Sequence, residues 1–128
     1  MKFLFLFFFL IASGSSFALD CSKADNTIEI NQCAQIRQTK TDEELNEAYQ
    51  RVLAMLEGIN KEPDNRIKTD LKAGLIKAQR LWVKFREADC ANIYDFWSNG
   101  TIRSVMYSDC MRGRAEQRIK ELDEYQRP

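Results

Sequence analysis

The sequence predicts an all-α protein, an up-down-up three-helix bundle made of a long helical hairpin plus a third helix and stapled by two disulfides. Three observations lead there. Apolar residues recur every three or four positions over long stretches. Only two prolines and five glycines punctuate 128 residues, one glycine inside an apolar leader. Four cysteines follow that leader, in the pattern of a small exported domain. So few breakers favour long helices over a many-turned β sandwich.

The leader comes first. Lys2 precedes an apolar run from Phe3 to Ala12, and Ser13-Gly14-Ser15-Ser16-Phe17-Ala18 supplies small residues at the exit. This is the form of a signal peptide over 1–18, with a mature domain over 19–128. The run is too short to span a bilayer comfortably. Asp20 before Cys21 does not suit lipid attachment at that cysteine. The expected destination is periplasmic or secreted, soluble once the signal is cleaved, with no stable membrane insertion. There Cys21, Cys33, Cys90 and Cys110 form two disulfides, with three pairings open.

Thr27 is a plausible cap for the first helix. Its apolar positions are Ile30, Cys33, Ala34 and Ile36, then Leu45, Ala48, Tyr49, Val52, Leu56 and Ile59. Thr41-Asp42-Glu43-Glu44 has the form of a capping box, yet no Gly or Pro interrupts the chain there, and one continuous helix is the preferred reading. Gly58 to Asp64 reads as a loop. The second helix is expected from about Asp64 to Trp97, along a near-heptad stripe of Ile67, Leu71, Leu75 (or Gly74), Ala78, Trp82, Phe85 and Asp89. Asn99-Gly100 stops it, Gly being tolerant of the left-handed conformation of helix ends. Thr101 caps a third helix to about Tyr125, with Val105, Met106, Ile119 and Leu122 as contacts and Arg112-Gly113-Arg114 as poor core material.

With a first loop centred near residue 61 or 62, Cys33 and Cys90 stand level on facing helices, and a second loop near 100 sets Cys90 level with Cys110. The staples then tie the start of the first helix to distant chain. The same register predicts an Asp42–Arg80 ion pair and an Asn46–Gln79 hydrogen bond. Tyr49, Trp82 and Phe85 are core by spacing. Arg86 stands out in an apolar stretch and needs a carboxylate such as Glu29 or Asp89.

Composition excludes much chemistry. Histidine is absent, so there is no imidazole base, nucleophile partner or metal ligand. No C-x-x-C pair, zinc-knuckle spacing or glycine-rich phosphate loop occurs. Nineteen basic residues balance nineteen acidic ones, and loss of Lys2 with the leader leaves the charge slightly negative, so bulk electrostatics favour neither nucleic acid nor anionic membrane. No metal, cofactor or catalytic residue is expected, and the chain reads as a binding protein of unassigned oligomeric state.

Four stretches resemble a known family: Asp20-Cys21 with Ala24, Thr27 and Asn31-Gln32-Cys33-Ala34; Asp42, Leu45-Asn46 and Tyr49; Ala78-Gln79-Arg80-Leu81-Trp82 through Phe85-Arg86 to Cys90; and Cys110, Arg118 and Leu122. The chain resembles the lysozyme inhibitor LprI-like family of small exported bacterial domains. Asn46, Tyr49, Gln79, Arg80, Trp82 and Arg86 match its structural motifs. The resemblance implies a helical, disulfide-stapled domain that binds a protein, lysozyme foremost, by surface complementarity. An envelope adaptor with another protein partner is the alternative, and a small periplasmic chaperone a third reading.

An inhibitor of a basic hydrolase needs an acidic rim and a few inserted side chains. Asp42, Glu43 and Glu47 are candidates for the rim, although acidic residues there also suit a solvated helix turn. Tyr94, Phe96 and Trp97, crowded before the Asn99-Gly100 turn, form either a protein-binding knob or a roof over the core.

Overall fold

A computed structural model describes residues 19–62, 67 and 69–126. The leader segment 1–18 lies outside the described residues. Three helices make the bundle, α1 over Thr27–Lys61, α2 over Leu71–Phe96 and α3 over Arg103–Asp123, followed by a short 3₁₀ turn at Glu124–Gln126. All three pack on one another. α3 touches both partners extensively, whereas α1 and α2 meet over a thinner seam.

α1 begins one residue earlier than expected. Asn26, rather than Thr27, is its cap, extended in backbone and accepting the Glu29 amide at 3.0 Å. The helix then runs unbroken for 35 residues. Thr41 does not start a new one: its buried hydroxyl donates back to the Arg37 carbonyl at 3.0 Å, a bond that leaves the backbone ladder intact. Gly58 is helical too, because a lone glycine costs only about 1 kcal/mol and the last turn is held from outside. Asn60 donates to Asp70 at 2.7 Å and accepts from the Leu71 amide, while Glu57 pairs with both Lys61 and Lys72 at 2.6 Å.

α2 starts at Leu71 rather than near Asp64, since Asp70 caps it through the Ala73 amide at 2.9 Å. Ile67 consequently lies outside the helix and is exposed. The later start moves the loop centre and the α1–α2 register. Asp42 faces Arg86, not Arg80, and Asn46 is exposed while Gln79 accepts from Arg118 at 3.0 Å. The buried stripe also turns away from the predicted one, with Leu75, Arg86 and Cys90 inside and Ala78 and Phe85 outside. A heptad reading drifts by about 20° per repeat from the true 3.6-residue period, and Gln79 and Arg86, being hydrogen-bonded, take the inward slots.

α2 ends at Phe96 with Trp97 as cap. Among the described residues no glycine adopts positive φ. Gly100 closes the turn instead, its amide donating to the Trp97 carbonyl at 2.9 Å. Thr101 does not cap α3; Ile102 occupies the cap position and makes no side-chain bond.

The disulfides are Cys21–Cys33 and Cys90–Cys110. The second joins α2 to α3 at the predicted level. The first is local and ties the lead to α1, not α1 to distant chain, because the shifted register takes Cys33 past the level of Cys90. The core runs along Leu45, Ala48, Val52 and Leu56 of α1, Leu75 of α2 and Ala115 and Leu122 of α3, with Tyr49, Trp82 and Ile119 packed at its edge. Ala115 and Met111 flank Gly113 and Arg114, which face solvent.

Candidate functional site

Arg86 links all three helices. Its Nε donates to the Met111 carbonyl at 2.9 Å and its Nη2 lies 2.5 Å from Asp42 Oδ1. Neither Glu29 nor Asp89 satisfies it: Glu29 accepts from the Asp25 amide, and Asp89 pairs with Arg114 at 2.7 Å. Trp82 receives two guanidinium groups over its ring, Arg86 at 5.5 Å and Arg118 at 5.9 Å from its centre, a pair of cation–π contacts. Asp42, Gln79, Trp82 and Arg86 are thereby committed to holding the bundle together. Arg80 and Asn46 are exposed on its outside.

The aromatic end differs. Tyr94 meets Tyr107 edge to face at 6.1 Å, and Arg103 covers the Tyr94 ring at 4.8 Å. Phe96 does not roof the core: it is 80% exposed, standing edge-on to Trp97 at 5.7 Å. Trp97 and Ile102 extend the apolar tip. The positions of Phe96 and Trp97 follow from the helix ending where it does, Phe96 as its last residue and Trp97 as its cap.

A shallow groove of about 390 Å³ beside this tip is lined by Gln35, Gln38, Thr39, Tyr94, Ser104, Tyr107 and Ser108. Gln35 and Thr39 also line a second groove of about 560 Å³ with Leu19, Gln32, Ile36, Lys40 and Glu43. The Cys21–Cys33 bond pins the lead to α1, and Leu19 lines the groove beside it. Glu43 therefore shares a continuous surface with Tyr94, and Glu47 follows one helical turn along α1. The sequence pattern places Ile36 on the apolar stripe of α1, whereas it is 52% exposed and lines this groove. Ile102 and the groove itself carry no sequence signal, since only the folded lead and the helix register create it.

Among the described residues, four groups are perturbed, and each owes its shift to neighbouring hydrogen bonds. Asp20 is held below the usual carboxylate range by the Ser22 hydroxyl and amide, and Asp70 by the Ala73 amide. Glu57 is lowered to about 2 by hydrogen bonds from Lys61 and Lys72. Arg112 is raised by its bond to Glu116. These groups mark joints of the scaffold and do not form an acid–base pair. Asp89, Cys90 and Cys110 bring ligand atoms within 4.8 Å of one another, but both sulfurs are spent on the disulfide and Asp89 on Arg114.

Residues 20–122 match the family model described as lysozyme inhibitor LprI. An uncharacterized protein of Rhizobium meliloti (strain 1021) is 32% identical over 108 residues, covering 82% of this chain and 77% of that protein. No solved structure matches the chain.

Proposed function

We propose that this chain, which belongs to the lysozyme inhibitor LprI family, is an exported binding domain that blocks a lysozyme by covering its cleft. The leader and the two disulfides support export to an oxidising compartment. The observation that carries the binding reading is the Phe96–Trp97 tip, because an 80% exposed phenylalanine beside a tryptophan is poor surface unless something covers it. Lysozymes hydrolyse their glycan with a pair of carboxylates. An aromatic side chain entering the cleft, with Glu43 and Glu47 beside the basic rim, would exclude substrate by contact alone, without catalysis by the inhibitor. Asp42, held by Arg86, orients α1 and contributes little to the rim.

Lysis of suspended cell wall by lysozymes of several classes, with the purified disulfide-bonded protein titrated in, tests the reading. Saturable one-to-one inhibition, lost on reduction, is the expected outcome. Absence of inhibition by a folded protein across the panel would refute it and favour an envelope adaptor. Phe96→Ala with Trp97→Ala is expected to weaken inhibition by roughly tenfold or more while thermal stability stays nearly unchanged. An unfolded double mutant would instead place both residues in the core.

A further inference from the structure

We propose that the outward face of α2 around Leu81 adsorbs the protein to an anionic lipid surface. Most cations of the bundle are engaged, including Arg37, Arg51, Lys61, Lys72, Arg86, Arg112, Arg114 and Arg118 in ion pairs. Lys77, Arg80 and Lys84 make no such pair among the described residues, and all three are exposed. Their spacing puts them on one stripe of α2. Leu81, 59% exposed, and Phe85, 54% exposed, occupy the adjoining stripe, with Ala78 and Ala88 one turn further along it.

Two large apolar side chains are bordered by three cations against a single carboxylate, Glu87, which continues the basic stripe one turn past Lys84. Such a net positive face is one by which a helix lies in a headgroup layer. The apolar groups enter the acyl boundary and the long basic side chains reach lipid phosphates. The face is the outside of a helix, and these residues line none of the grooves described above. A helix face that lines none of these grooves suits a deformable lipid layer better than a shaped protein partner. No described helix is long and apolar enough to cross a membrane, so the contact is adsorption in the plane. The near-neutral total charge conceals this patch, because Glu43, Glu44 and Glu47 lie on α1.

The test is sedimentation of the disulfide-bonded protein, exported and purified from cells expressing the full chain. Its partners are vesicles of phosphatidylglycerol with phosphatidylethanolamine, and vesicles of phosphatidylcholine alone. Binding is expected at least tenfold tighter on the anionic vesicles and weakened by salt. Lys77→Gln/Arg80→Gln/Lys84→Gln should lower it about a hundredfold, near fivefold per cation, with helicity retained. Should that variant lose helicity, Lys77→Gln and Lys84→Gln singly carry the test at about fivefold each. Equal binding to both vesicle types, or a folded triple variant that binds as before, overturns the proposal. Unchanged binding by Leu81→Ser/Phe85→Ser also overturns it, and reassigns the cations to a soluble polyanion.

Discussion

Arg86 is 7% exposed, and its two hydrogen bonds reach α1 and α3 from α2. Burying a guanidinium is costly unless its donors are met, and here a carboxylate and a backbone carbonyl meet them. Arg86→Ala removes both bonds and empties volume beside Trp82, so a loss of about 2–3 kcal/mol is expected in urea denaturation. The estimate is held down because Asp42 is itself 37% exposed and can rehydrate. Asp42→Asn keeps an acceptor oxygen and should lose less, about 1 kcal/mol. The sequence displayed Arg86 as an oddity but not its partner, since choosing between Asp42, Glu29 and Asp89 requires the register between helices.

The three helices were legible from periodicity, and their ends less so. Asn26 and Asp70 fix the starts of α1 and α2 through single side-chain bonds, and Thr27 beside Asn26 offers equally suitable capping chemistry. That uncertainty propagates, because the later start of α2 re-pairs Asp42 and separates Asn46 from Gln79. Asn26→Ala is expected to cost about 1 kcal/mol, read as a lower thermal midpoint. The junction of α1 and α2 carries a pH signature. Glu57, with a folded value of about 2 against a reference of 4.5, stabilises the fold fully above the reference value and loses that contribution as pH falls through about 2. Glu57→Gln should therefore be less stable than the parent at neutral pH, and the difference should close between pH 4.5 and 2 in acid titrations followed by helical ellipticity. The aromatic candidates were legible as a cluster, whereas their exposure depends on where α2 stops.

At the scale of the molecule, the disulfides divide the labour. Cys90–Cys110 closes 20 residues across two helices and Cys21–Cys33 closes 12 between the lead and α1, each worth about 3 kcal/mol by chain entropy. Cys90→Ser/Cys110→Ser is expected to lose at least that much, because Cys90 is fully buried. Cys21→Ser/Cys33→Ser should cost less globally yet loosen Leu19 from α1, which proteolysis near the lead would detect. The placement of α3 has a further consequence for assembly. The surface on which α1 and α2 come to rest belongs largely to the last helix in the chain. Until α3 is made, the earlier helices have only their thin mutual seam on which to settle. The lead can close its sulfur bond onto α1 early, but the bundle waits for α3, and under the export proposed above a chain that stays unfolded that long would remain threadable during its passage.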